Sequence, residues 1–290
     1  MNILIIGHGP IARVLATSIG VEHRIVLAVR GPAGERNAVA SRRVGAWPRP
    51  IVERRVERLA IDSIRGRWDA VITTAPPHAP GVRELLTSID AGAVTAVSQV
   101  PSEVAALKEL ASDRPWGLIV PGVLAWDTQP TRWWRIGSVV SVAGPAAPHL
   151  RGIFRHRAPE VALPGVLLQA ATTMPVVAGL HAAGFRLARA AKEAARWARA
   201  ADEARRAIAA EYRLPEPRPV RPLAVRAALW ALPRVAPLDV PVYLRSHFGG
   251  HRSQTMQMLT DWISAAQEHS LRSGALEELR EQLEGTEHGR

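Results

Sequence analysis

The chain has 290 residues, 47% of them hydrophobic and 22% charged, a balance that excludes a disordered chain and allows one large domain or two ordinary ones. Cysteine is absent, so neither a disulfide framework nor thiolate chemistry is available. The formal net charge of +11 comes from arginines spread along the chain, with Lys108 and Lys192 the only lysines. That scatter reads as a solvated surface suited to small anions, and neither nucleic acid nor membrane is expected as a partner.

The first element is the most informative. Ile3-Leu4-Ile5-Ile6 is an apolar β-forming run that passes directly into Gly7-His8-Gly9-Pro10-Ile11-Ala12, and the helix-compatible Arg13-Val14-Leu15-Ala16-Thr17-Ser18 follows. A strand, a Gly-x-Gly-x-x-Ala turn and a helix are what a dinucleotide pyrophosphate requires. Gly7 permits the tight turn, Gly9 lets the backbone approach phosphate, Ala12 lets helix and strand pack closely, and the helix N-terminus offers N–H groups to the anion. His23–Arg30 reads as the second strand, stopped by Gly31-Pro32. The residue closing this strand meets the adenosine ribose, where an acid would favour NAD. Arg30 stands there instead, with Arg36, Arg42 and Arg43 downstream and Glu35 the one acid nearby. A guanidinium pairs bidentately with a 2′-phosphate, so the expected cofactor is NADP(H).

Further strand-like runs lie at Ile51–Val56, Ala70–Thr73, Ala93–Val97 and Gly117–Val120, with helix-like stretches at Pro80–Ile89 and Ser102–Ala111. This alternation predicts a parallel sheet covered on both faces. Pro76, Pro77 and Pro80 mark the loop after the fourth strand, at the carboxyl edge where such sheets bind ligands. Two more strands are expected around Thr131–Ile136 and Ser138–Val142, and Gly144-Pro145-Ala146-Ala147-Pro148 reads as a boundary. Beyond it the helical period dominates, in Gly165–Ala190, Ala191–Glu211, Leu223–Ala231 and Ser253–Gln267, with a proline-rich connector at Leu214–Pro222. Val161–Phe185 has no formal charge over its length, but its prolines, glycine, glutamine and threonines favour a buried helix over a membrane span. The expected architecture is α/β: a Rossmann-type, doubly wound parallel sheet over residues 1–147, then an all-α substrate and dimerisation domain over 148–290, with a cleft between them. A core strand at the N-terminus leaves no room for a secretory signal, so a cytoplasmic protein is expected.

This layout, together with Asn2–Ala12 and Arg30, resembles the ketopantoate reductase (2-dehydropantoate 2-reductase) family. Ser98-Gln99-Val100-Pro101 stands where that family carries a Gln-Asn-Gly turn, and Tyr243–Thr255 is similar to a His-Phe…Gln-Thr pattern of divergent members. The resemblance implies an NADPH-dependent reduction of a 2-oxo acid by a homodimer, with Thr74, Ala75 and Gln99 joining the phosphate turn around the cofactor. It also implies a lysine as general acid and a carboxylate and an asparagine on the substrate. Here the sequence departs from the pattern. Val100 falls where the asparagine is expected, Ala75 where a lysine follows the fourth strand, and Val166 where the catalytic lysine opens the central helix. Carbonyl reduction needs a proton donor beside the oxygen, which Val and Ala cannot supply.

His247 is the candidate replacement, since an ordinary imidazole transfers protons near neutral pH. It lies among Arg245, Ser246, His251, Arg252, Ser253, Gln254 and Thr255. Arg245, Ser246 and Arg252 are the candidate substrate ligands, forming an anion site at the start of the following helix. The alternative is a solvated basic face with Ser253 as a helix cap and a histidine that only packs. His181 reads as a buried histidine. Thr172 and Thr173 are expected to bond back to their own helix, and Trp133 and Trp134 to fill the core and a subunit contact. No metal site, Ser-His-Asp set or P-loop is present. The expected function is reduction of a 2-oxo acid or related carbonyl or imine other than ketopantoate. The competing expectation is a non-catalytic NADP(H)-binding sensor or scaffold.

Overall fold

A computed structural model describes residues 1–31, 37–45, 47 and 49–285, apart from the side chains of 37, 188 and 189. Arg36 and Glu35 lie outside the described residues. In chain order the elements are β1 (Asn2–Ile6), α1 (Pro10–Ser18), β2 (Arg24–Val29), β3 (Asn37–Arg43), β4 (Ile51–Ala60), β5 (Arg67–Trp68), β6 (Ala70–Thr73), α2 (Val82–Ser88), β7 (Asp90–Ala91), β8 (Val94–Ala96), α3 (Pro101–Ala111), β9 (Trp116–Trp126), β10 (Thr131–Ala143) and α4 (Ala147–Leu150). Helices follow: α5 (Leu163–Ala182), α6 (Leu187–Glu211), α7 (Pro222–Val235), α8 (Val240–Gly249), α9 (Arg252–Glu268) and α10 (Gly274–Gly285).

β1 pairs in parallel with β2 on one side and β6 on the other, and the parallel run continues through β8 to β9. The chain steps one way from β1 through α1 to β2, and the opposite way from β6 through α2, β8 and α3 to β9. With right-handed crossovers, α1 then covers one face and α2 and α3 the other. Strand alternation agrees: Ile3, Ile5, Ile25, Leu27, Ala70 and Ile72 share one buried cluster with Ala12, Leu15, Ala16 and Ile19 of the α1 segment. Leu4, Ile6, Val26, Ala28 and Val71 point the other way and are buried too, as are Leu85 and Leu86 of α2 and Val104 and Leu107 of α3.

The expected open sheet is a closed one. β9 and β10 form a long antiparallel pair, β10 pairs in parallel with β3, β3 antiparallel with β4, and β4 in parallel with β2. The result is an eight-stranded ring in the order β1-β2-β4-β3-β10-β9-β8-β6, with α1 against its inner side. The missing piece was β3. Asn37-Ala38-Val39-Ala40-Ser41-Arg42-Arg43 holds a single β-branched residue, and its alternation is carried by Val39 and the buried Ser41, whose hydroxyl lies 2.7 Å from that of Thr17 on α1. The strands expected at Thr131–Ile136 and Ser138–Val142 are one strand, β10, whose register against β9 shifts between Arg135 and Val140.

Two compact units result: Met1–Gln99 with Glu103–Leu163, and Val100–Ser102 with Pro164–Arg290. The boundary falls at Leu163, not at 147. The intervening segment stays with the sheet because Leu150, Ile153, Phe154 and Ala158 enter its core. Gly20 N–H also donates to Ile153 O at 2.8 Å, and Val161 N–H to Val142 O at 2.9 Å.

Among its described residues, the regular elements of the second unit are all helices. The long helix expected over Gly165–Ala190 ends at Ala182, and the turn runs through Gly184 and Phe185, at φ +65° and +58°. α5 and α6 then pack at close range. A Cβ on Gly179 would sit 2.2 Å from the ring of Trp197, which is 1% exposed, so glycine is what admits the indole. α5 is the one helix among the described residues long and apolar enough to cross a membrane by length and composition, and 44% of that window is buried in the protein. α8 is a helix whose N-cap is Asp239, accepting from Val242 N–H at 3.1 Å, and it ends at Gly249 with Gly250 as its C-cap.

Candidate functional site

The turn from β1 into α1 lies where strand order reverses, between β1 and β6, the position at which doubly wound sheets bind ligands. Gly7 has φ +117°, and a Cβ there would lie 2.2 Å from Thr74 Oγ1. The close approach is held by Gly7 N–H to Ala28 O at 2.9 Å, by Thr74 N–H to Ile6 O at 2.9 Å, and by the Thr74 hydroxyl to the same carbonyl at 3.1 Å. Gly9 is different: its φ is −65°, and an added Cβ would meet nothing within 4 Å. That open space faces the start of α1, where Pro10 occupies the first turn, no side chain caps the helix and no acidic residue lies in the first turn. Ala12 is 0% exposed. An uncapped, acid-free N-terminus beside a glycine with room above it is a chemical fit to a pyrophosphate.

Arg13 was not singled out from the sequence. Its Nε donates to His8 O at 3.0 Å, inside the turn, and its Nη1 reaches Thr131 Oγ1 at 3.1 Å and Asp127 Oδ1 at 2.9 Å. The side chain is 14% exposed, whereas Asp127 is 73% exposed. Arg13 therefore ties the turn to the β9–β10 connection. The detectable signal was a helix-borne arginine directly after the turn, but two of its three partners, Asp127 and Thr131, lie more than a hundred residues away.

Arg30 ends β2 as expected, exposed beside Gly31 at φ +108°. Among the described residues it has no ion-pair or hydrogen-bond partner. Thr74 and Ala75 form the loop after β6, and the Thr73 hydroxyl fixes Ala75 through its carbonyl at 2.8 Å and its N–H at 3.2 Å. Gln99, half-buried, follows β8 on a loop pinned by Ser98 Oγ to the buried carboxylate of Glu103 at 2.6 Å. His8 is exposed, and Pro10 and Ile11 are half-buried. Val100 and Val166 are 0% and 3% exposed, so both aliphatic residues are core, with no group to offer a ligand.

In the second unit His247 sits in the last turn of α8. Its ring stacks on Tyr243 at 5.3 Å, meets Phe248 edge-on at 4.8 Å and lies 5.3 Å from His251. Burial, then the neighbouring His251, lowers its pKa to about 4. Near neutral pH the imidazole is thus uncharged, a hydrogen-bond donor through one N–H and not an imidazolium acid. Arg245 is exposed. Ser246 bonds back to Tyr243 O at 3.0 Å within its own helix. Arg252 donates through Nη2 to Leu283 O at 2.5 Å and Glu284 O at 3.2 Å, satisfying the C-terminal carbonyls of α10. The N-cap of α9 is His251, without a side-chain bond, and not Ser253. Thr172 and Thr173 bond back to Leu168 O and Gln169 O, as expected, and His181 stacks on Phe185 at 5.0 Å.

A cavity of about 470 Å³ lies at the amino end of β2, walled by His23, Arg24, Glu53, Arg54, Glu57 and Arg155 among others. Several of its charged groups already have partners. Arg24 pairs with Glu57 at 2.6 Å, and Arg54 donates to the carbonyls of Ile19, Gly20 and His23. It lies at the opposite strand ends from the turn.

No family sequence model matches the chain, and no curated protein matches it. Solved structures do. One described as a probable 2-dehydropantoate 2-reductase from Bacillus subtilis aligns with a TM-score of 0.66 at 17% identity, over 98% of this chain and 99% of that one. A ketopantoate reductase from Staphylococcus aureus, described as dimeric, gives 0.68 at 11% identity over 98% of each chain. D-mandelate dehydrogenase with NADH and anilino(oxo)acetate gives 0.62 at 11% identity over 99% of each. At these identities the likeness is one of fold: the chain has the fold of the 2-dehydropantoate 2-reductases.

Proposed function

We propose that the chain is an NADP(H)-dependent oxidoreductase that reduces a 2-oxo acid or a related carbonyl or imine, not ketopantoate itself. The observation that carries this reading is the Gly7–Ala12 turn, where Gly9 leaves open space above an uncapped helix N-terminus. The bound cofactor would supply hydride. Gly7–Ala12 would hold its pyrophosphate, Thr74, Ala75 and Gln99 would line its path, and Arg30 would take a 2′-phosphate. The printed names of the neighbouring structures, reductases and a dehydrogenase of 2-oxo and 2-hydroxy acids, support the reaction class. His247 is the proposed partner of the substrate oxygen, as a neutral N–H donor, with Arg245 the remaining free guanidinium of its segment. The Ser246 hydroxyl and the Arg252 guanidinium instead bond helix carbonyls, those of Tyr243 and of Leu283 and Glu284.

The test is a titration with NADPH and NADH followed by a panel of 2-oxo acids and cyclic imines. Tight NADPH binding, weakened about tenfold or more in Arg30→Ala with NADH unaffected, is the expected outcome. Turnover should survive in His247→Gln and vanish in His247→Phe. Equal affinity for the two nucleotides would overturn the NADP assignment. A second reading, a non-catalytic NADP(H)-binding sensor or scaffold, is favoured by the buried Val100 and Val166. Tight NADPH binding with no oxidation across the panel would select it.

A further inference from the structure

α7 packs on α6 and buries Val225 and Leu229. Its far side is not the polar one expected of a surface helix. Leu223, Ala227, Trp230 and Arg234, spaced four, three and four residues apart, form one row opposite Val225 and Leu229. Ala224, Ala228, Ala231 and Val235, at the same spacing, form the row beside it. No residue of either row is buried. Leu223 is 75% exposed, Trp230 64% and Val235 65%, so three large apolar side chains stand in solvent on one face.

The charges on and beside α7 have one sign. Arg226 and Arg234 lie on the helix, Arg218 and Arg221 just before it, and no acid occurs between Glu216 and Asp239. All four arginines are exposed, and among the described residues none has a carboxylate partner. Arg234 lies over the Trp230 ring, 4.1 Å from its centroid, and donates to Trp230 O at 2.5 Å. Arg226 Nε donates to Ala191 O at 2.9 Å. A second copy of the chain is a poor occupant for this face. Arg226 and Arg234 would meet their own counterparts with no acid to answer them. The 14 residues of α7 also present a face only about 21 Å long and 10 Å wide, on the order of 200 Å² against the roughly 800 Å² per partner of a stable interface. An anionic bilayer suits both features: its phosphates neutralise the guanidiniums, and its headgroup boundary accepts indole and aliphatic side chains.

We propose that α7 is an interfacial helix that lies on anionic bilayers, with Leu223, Trp230 and Val235 in the headgroup boundary and Arg226 and Arg234 on lipid phosphates. This reverses the expectation, drawn from the scatter of charge, that no membrane is a partner; it is independent of the reading of the Gly7–Ala12 turn. It is tested by sedimenting the full chain with vesicles of mixed phosphatidylglycerol and phosphatidylcholine, and of phosphatidylcholine alone. Binding should require the anionic lipid and fall by about tenfold or more as salt rises from about 0.05 M to about 0.5 M. Leu223→Ser/Trp230→Ser and Arg226→Gln/Arg234→Gln should each weaken it by about tenfold or more, while keeping the wild-type thermal midpoint and NADPH affinity. Brominated lipid should quench the tryptophan fluorescence of the wild type, and Trp230→Phe should remove most of that quenching. Wild-type chain left in the supernatant with anionic vesicles overturns the proposal, as does binding unchanged in the Leu223→Ser/Trp230→Ser pair or quenching that survives in Trp230→Phe. A wild-type dimer that becomes a monomer in Leu223→Ser/Trp230→Ser assigns the face to a second copy and overturns it too.

Discussion

Two glycines in one turn make opposite demands. Gly7 needs a positive φ and clears Thr74, whereas Gly9 has an ordinary φ and open space. Gly7→Ala should therefore lower both stability, by about 1–3 kcal/mol from backbone strain and the clash, and NADPH affinity. Gly9→Ala should leave the thermal midpoint at the wild-type value and still abolish nucleotide binding, because its methyl enters the space proposed for phosphate. A Gly9→Ala protein that binds NADPH normally would remove that assignment. His247 gives a second residue-scale prediction. Its ordinary value of 6.5 falls to about 4 in the fold, so between these values the unfolded chain carries a proton that the folded one does not. The stability this group allows is fully present above pH 6.5 and is lost as pH falls toward and through about 4. Urea unfolding from pH 7 to pH 4 should show a steeper loss for the wild type than for His247→Phe.

Elements explain why some polar residues of α8 and α9 are not ligands. Arg252 closes the carbonyl end of α10, and such charge-assisted bonds contribute on the order of 2 kcal/mol. Arg252→Met should lower the thermal midpoint without changing cofactor affinity. Arg13→Met should do both, since the arginine holds His8 O as well as Asp127 and Thr131; an unchanged NADPH dissociation constant would make Arg13 merely structural. The same contrast shows what the sequence could carry. β1, the turn, α1 and β2 were legible because every signal lies within thirty contiguous residues: an apolar run, two glycines, a proline at the helix start. β3 was illegible because its stability comes from partners at Ile51–Val56 and Thr131–Trp133, not from its own residue types. Arg252 was misread for a related reason. A basic residue at a helix start looks the same whether it awaits an anion or already serves a carbonyl thirty residues on.

At the scale of the whole molecule, the homodimer that the family resemblance implies is a testable expectation; a Staphylococcus aureus neighbour in fold is described as dimeric. Light scattering at micromolar concentration should report twice the chain mass; a monomer at that concentration would exclude it. The closed eight-stranded ring limits how such a pair can form. An open sheet ends in strands whose free N–H and C=O groups invite another chain to add a strand, the route by which sheets extend across subunits or seed aggregates. In this ring every strand has a neighbour on both sides, which shortens the free edge, although the β3–β10 ladder covers only Thr131–Trp133 of β10. Association is expected to rely mainly on side chains of helices and strand faces, and opening the ring should raise the tendency to aggregate.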